Sequence, residues 1–246
     1  MIRLQSAPKP TQLTDALVEE LTNQFLDDSA KRVWDKPYIT DTLSKMSSAK
    51  CCYCECRVNE ESKYMEVEHF FPKKIYPGKV VEWENLLPVC KRCNINKGDH
   101  DTGKEPIVHP VNDDPQTHFA LRAYRFYAKT SIGKISIAVL NLNDFDQLQI
   151  KRFEVGAGVK KELDELEVSI EDFLKNQTTI RRTRICSKLR GIMYLGQQDK
   201  EYSATVATEI LREPSYHFAK TELHKLDLWD EEFERLENGL LKIAYL

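Results

Sequence analysis

The sequence predicts an α+β fold in which a small metal-held module of loops and short strands lies between two mainly helical regions. Three observations lead there. Six of the seven cysteines fall between residues 51 and 93, in a stretch also dense in aromatics and proline. Residues 11–46 before it, and the chain beyond about residue 143, carry apolar side chains at helical spacing. With 41% hydrophobic residues over 246 positions, the chain can bury one substantial core, or a compact module with a smaller companion.

In residues 1–49, Leu13, Leu17, Leu21 and Phe25 mark one helix face, and Trp34, Ile39 and Leu43 continue the apolar thread around Pro37. This segment is expected to pack on the next module, residues 50–110, where Pro72, Pro77 and Pro88 signal loops and short strands. Residues 111–246 form the third region. A turn-rich connection, 111–117, leads into two alternating stretches, 119–127 and 134–140, that read as a hairpin turning at Ile132 and Gly133. Asn143 is placed to cap a helix that Gly156 and Gly158 break, and a long helical pattern resumes over 159–195. Ser203–Arg212 forms a further helix ending before Pro214, and 229–243 closes the chain with Phe233, Leu236 and Leu240 on one face. The sequence carries no internal repeat and no low-complexity tract.

No apolar run approaches the roughly 18 residues that cross a bilayer, and MIRLQSAPKPTQL lacks the apolar core of a signal peptide. A cytoplasmic protein with no membrane partner is expected, and in a reducing compartment clustered cysteines bind metal instead of forming disulfides. Cys186, among helix formers, reads as a small buried hydrophobe. The net charge of -3 excludes a protein that lives by diffuse grip on nucleic acid. Local contact is still available from residues 175–190, where Lys175, Arg181, Arg182, Arg184, Lys188 and Arg190 occur with no acidic residue. The alternative is a solvated face that balances the acidic run 162–172.

Two Cys-x-x-Cys knuckles, Cys51 with Cys54 and Cys90 with Cys93, can direct four thiolates at one tetrahedral Zn2+ in a closed structural site. Cys52 and Cys56 fall outside that spacing, and exchange of a ligand role with either is the alternative. Zinc closed in by four thiolates does no chemistry, so function must come from the 35 residues between the knuckles and from the turn directly after the second. There stand Glu68-His69, then Asn85-Leu86, then Cys93-Asn94 with Lys97 and Gly98.

An acidic residue and histidine ending a strand, a central asparagine before a second strand, and Cys-x-x-Cys-Asn-x-x-Lys entering a helix resemble the HNH, or ββα-metal, nuclease family. The resemblance implies His69 as the base that activates water, a role its ordinary pKa near 6.5 suits. Glu68 and Asn94 would hold a catalytic Mg2+ or Mn2+, since hard oxygen donors favour such ions. Asn85 would tie down the loop that keeps the histidine in register. Arg92 and Lys97 flank the site as candidate phosphate holders, and His100 and His109 are possible substitute ligands. The chain departs from the commoner pattern in having Glu68 for aspartate and Asn94 for the final histidine.

A closer resemblance rests on Leu4, Pro10 and Trp34, on KCCYCEC (50–56), VEHFFPK (67–73) and WENLLPVCKRCNINKG (83–98), and on 106–110 and DDPQTHF (113–119). Together they are similar to the PtuB-type HNH nucleases of Septu and retron-linked anti-phage systems. Beyond about residue 145 only length and helix content support it. The resemblance implies a DNA substrate, a PtuA-type ATPase as partner, and a reverse transcriptase with its RNA-DNA product where the locus is a retron. Two other functions fit the residues: a stand-alone restriction-type nuclease, and a non-catalytic zinc adaptor linking an ATPase to nucleic acid.

Overall fold

A computed structural model describes residues 1–58, 60 and 64–246. They group into two compact units, one of residues 1–119 with 127–142 and one of residues 120–126 with 143–246.

In the first unit, helix α1 (Asp15–Asp27) begins where the Thr14 side chain accepts from the Leu17 amide, and α2 (Pro37–Met46) begins on a proline, whose fixed φ suits a first turn. Leu21, Phe25, Ile39 and Leu43 from these helices share one buried cluster with Trp34, Val80, Val81, Trp83 and Leu86. The N-terminal segment is therefore part of the module's core. Strands β1 (Met65–His69) and β2 (Leu86–Cys90) pair antiparallel with Glu66 opposite Val89, Glu68 opposite Leu87 and His69 opposite Leu86. Helix α3 (Lys91–Lys97) comes directly after β2, packs on both strands and stops at Gly98, whose φ of +49° suits a residue without Cβ. Two short strands and a helix around four cysteines are the ββα arrangement the sequence predicts.

The expected hairpin turning at Ile132 and Gly133 is not present. After a single helical turn, α4 (Pro115–His118), strand β3 (Phe119–Arg122) pairs with β4 (Arg125–Ala128) across Ala123 and Tyr124, both at positive φ. Residues assigned to the second strand instead form helix α5 (Ser131–Val139), because the Thr130 hydroxyl accepts from the Gly133 amide and caps it. A Cβ on Gly133 would lie 2.3 Å from the His118 carbonyl oxygen, so this glycine serves close packing.

The second unit is helical: α6 (Ile150–Lys175), α7 (Thr179–Leu195), α8 (Ser203–Arg212), α9 (Pro214–Lys225) and α10 (Glu231–Leu241). Leu163, Leu166 and Ile170 of α6 are buried, as are Leu189 and Met193 of α7 and Ala207, Leu223 and Leu240 of the last three helices. Gly156 and Gly158 do not break α6. At Gly156 a Cβ would lie 2.4 Å from the Tyr124 ring, so the missing side chain admits the tyrosine, while Gly158 faces open space. The long pattern over 159–195 is divided at Asn176, with Thr178 capping α7. Asn143 caps nothing; its amide holds the Phe126 N–H and carbonyl, each at 2.8 Å, and Asp144 takes the cap before a π-type turn. Among the described residues no helix is long and apolar enough to cross a membrane.

Candidate active site

The four-cysteine centre is assembled by a tight turn and a strand end. The Cys51 N–H donates to the Cys56 carbonyl, the Glu55 N–H to the Cys51 carbonyl, and the Cys52 N–H to the Pro88 carbonyl, which ties the first knuckle to β2. Cys90 ends β2 and Cys93 lies in the first turn of α3. The sulfurs of Cys51, Cys54, Cys90 and Cys93 all lie within 4.8 Å of one another. Cys54 and Cys90 are 3.7 Å apart, close to the edge of about 3.8 Å of a tetrahedron around zinc with bonds of about 2.3 Å. Hydrogen bonding from the neighbouring Cys51 thiol holds the Cys90 thiol below its ordinary value. This buried four-sulfur cluster is consistent with a structural zinc. Cys52 and Cys56 are outside the set, and the Arg92 guanidinium donates to Cys93 Sγ at 3.3 Å and to the Asn141 carbonyl at 3.3 Å.

The motif histidine ends β1. His69 is 4% exposed, and its Nε2 lies 2.9 Å from the Val80 carbonyl. A carbonyl only accepts, so Nε2 carries the proton and Nδ1 is left with the lone pair. The ring meets Trp34 edge-on at 4.7 Å. Burial, with the charges of Lys73 and Lys97 behind it, pushes the imidazole down to about 3. Asn85 governs the loop that supplies Val80: its Oδ1 accepts from the Phe71 amide at 2.7 Å, while its Nδ2 donates to the carbonyls of Phe71 at 3.1 Å and Lys79 at 2.9 Å.

Pleating turns the neighbouring residues the other way. Glu68 faces α3, where its Oε1 meets Lys97 Nζ at 2.6 Å; both residues are buried, and Lys97 also donates to the His69 carbonyl at 2.9 Å. Lys97 is thus a buried counter-charge, not a surface residue free to hold phosphate, and Arg92 is committed to Cys93 and Asn141. Two residues before Glu68, on the same strand face, Glu66 accepts from Asn94 Nδ2 at 2.6 Å. Burial pushes Glu68 up to about 7 despite Lys97. A second positive charge would relieve this strain on the carboxylate, and Glu68 with the Asn94 amide oxygen offers the hard donors that a Mg2+ or Mn2+ would accept. Among the described residues, no group of three or more His, Cys, Asp or Glu donors converges other than the four cysteines.

His100 and His109 are committed elsewhere. His100 Nε2 meets the Glu105 carbonyl at 2.7 Å, and His109 Nδ1 accepts from the amides of Val111 and Asn112. Sequence reasoning passed over Lys73, whose ammonium sits 4.9 Å from the centroid of the Trp34 ring and acts electrostatically on both His69 and Glu68. No carboxylate is within ion-pair distance of it among the described residues, whereas Lys74 pairs with Asp99 and Lys79 with Glu82. In the second unit, Lys188 pairs with Glu162 and Glu165, and Arg190 with Asp230 and Glu232, so the basic stretch largely balances local acids; Arg182 and Arg184 stay exposed.

The HNH endonuclease family matches residues 51–100, the segment that carries both knuckles and every motif residue. The Septu protein PtuB of Bacillus thuringiensis is 40% identical over 238 residues, covering 96% of this chain and 92% of that protein. The chain belongs to the Septu PtuB family. A more distant member, from Bacillus mycoides strain KBAB4, is 26% identical and covers 77% of each chain. Similarity to PtuB thus continues well beyond the HNH segment into the helical unit.

Proposed function

We propose that this PtuB-family chain is a metal-dependent HNH endonuclease that hydrolyses DNA phosphodiester bonds as the nuclease subunit of an anti-phage defence complex. The observation that carries the reading is the His69–Val80 hydrogen bond at the end of β1, which fixes the tautomer with Nδ1 as the proton acceptor. His69 Nδ1 takes the proton from a water that attacks phosphorus, and general-base catalysis of this kind contributes roughly 10²–10⁴-fold. Glu68 and Asn94 would hold a Mg2+ or Mn2+, which would supply Lewis acidity beside the leaving 3′ oxygen. Lys73, held over Trp34, contacts the phosphate. That contact neutralises one of the charges holding His69 low, so substrate binding raises the basicity of the imidazole.

The partner is a PtuA-type ATPase, with a reverse transcriptase and its RNA-DNA product added where the locus encodes one. Charge supports dependence on a partner. Residues 50–104 carry 10 Lys+Arg against 9 Asp+Glu, and Lys97 and Arg92 are occupied, so counterion release gives the module little affinity for DNA. The test is cleavage and DNA binding against salt, with Mg2+, for the chain alone and with the ATPase. Cleavage only with the ATPase is expected; tight, steeply salt-dependent binding and rapid cleavage by the chain alone would instead establish a stand-alone nuclease.

A further inference from the structure

We propose that Glu66 is a positioning residue that decides which end of the Asn94 amide is presented to the cation site. The inference rests on the reading of Asn94 as a cation ligand. β1 and α3 meet through two successive pairs: Glu66 with Asn94, and Glu68 with Lys97. The pleat of β1 puts the two glutamates on one side, and the spacing of three residues in α3 puts Asn94 and Lys97 on one face.

A side-chain amide has two ends of similar shape and opposite chemistry. Its oxygen binds a hard cation; its NH2 group repels one. Asparagine alone does not choose between them, unlike a carboxylate, whose two oxygens are equivalent. The 2.6 Å contact with Glu66 removes the ambiguity, because an ionised carboxylate only accepts and must face Nδ2. Oδ1 is then directed away from Glu66. Asparagine in place of the commoner histidine at this position therefore works as a ligand only with a carboxylate behind it. Glu66 lies two residues ahead of Glu68 on the same strand face, which is what places it there.

The experiment measures Mn2+ binding to the full-length, zinc-loaded chain by the electron paramagnetic resonance signal of free Mn2+, for Glu66→Gln, Glu66→Asp, Asn94→Ala, Glu68→Ala and the double variant Glu66→Gln/Asn94→Ala. Loss of an orienting partner costs roughly tenfold in affinity. Glu66→Gln, whose amide carries a donor end as well as an acceptor and so no longer fixes the orientation of Asn94, is expected to weaken Mn2+ binding by about that factor, with Glu66→Asp, which keeps an acceptor-only carboxylate, nearer to the parent. The double variant should bind no more weakly than Asn94→Ala, because Glu66 has nothing left to orient. An additional loss in the double variant would show Glu66 acting as a direct ligand or by charge alone, and would overturn the proposal. Unchanged binding in Asn94→Ala with loss in Glu68→Ala would overturn it too, while leaving the cation site in place. Unchanged binding in both would remove the catalytic cation reading itself.

Discussion

The two units solve the problem of stability differently. In the first unit, two strands of five residues each and a helix of seven carry the whole motif, and four closely spaced sulfurs supplement a buried apolar cluster that the N-terminal helices complete. The helical unit has a 26-residue helix against which α7, α8 and α9 pack through leucine, isoleucine and alanine. The small ββα module has a buried ion pair at its centre, Glu68 with Lys97; a packed helical core is sensitive to single methyl groups.

The largest effect should come from the metal. Zinc binding to such a site contributes folding free energy on the order of 10 kcal/mol. Cys93→Ser is expected to abolish the one zinc per chain and to unfold the first unit, while the helical far-ultraviolet signal of the second largely persists. Zinc by elemental analysis alongside circular dichroism reads both. Full zinc retention in that variant would bring Cys52 or Cys56 into the ligand set.

Next comes the loop anchor. Asn85→Ala deletes three hydrogen bonds to the backbone of Phe71 and Lys79, and buried groups left unpaired cost about 1–3 kcal/mol. The melting temperature should fall and cleavage should be lost with it, because the Val80 carbonyl that orients His69 belongs to the same loop.

Protonation of the buried imidazoles gives a smaller, graded effect. His69 is pushed down to about 3 and His109 is lowered, each first by burial. The unfolded chain binds these protons near pH 6.5, before the folded chain does, so their contribution is complete above that pH and is lost as pH falls toward 3 for His69. Stability of the first unit should decline below pH 6.5 by up to about 1.4 kcal/mol per pH unit for each group. Chemical denaturation at pH 5 and pH 7 checks the sign, and replacement of His69 by glutamine should flatten the slope.

How much is legible in the sequence also differs between the units. In the first unit, cysteine spacing and the order Glu68-His69, Asn85, Asn94 are properties of the chain itself, so these residues can be located without coordinates. Direction cannot. The pleat that sends Glu66 toward Asn94, the burial of Lys97 and the Lys73–Trp34 contact depend on tertiary neighbours, although the two-residue interval from Glu66 to Glu68 is a usable signal for the first. In residues 119–140, Ile132, Ile135, Ile137 and Val139 resemble a strand, but the Thr130 cap outweighs β-propensity, and the turn at Ala123 and Tyr124 has no glycine or asparagine to announce it. Gly156 misleads because a glycine that admits a tyrosine ring looks, in sequence, like one that ends a helix.

The glycines of α6 give effects of opposite sign, the smallest of all at Gly158. Gly158→Ala, facing open space, should stabilise by about 0.5–1 kcal/mol through helix propensity. Gly156→Ala, forced against Tyr124, should destabilise by about 1–3 kcal/mol. Thermal melts of the two variants side by side read the difference.

The central claim is that His69 is the base of a hydrolytic site, and His69→Gln tests it most directly. Glutamine can keep the hydrogen bond to the Val80 carbonyl while offering no imidazole lone pair. Single-turnover cleavage of DNA with Mg2+ and the ATPase present should fall by at least about 10²-fold, with one zinc per chain retained. Cleavage within a few-fold of the parent, at unchanged zinc content, would contradict the account and take His69 out of the mechanism.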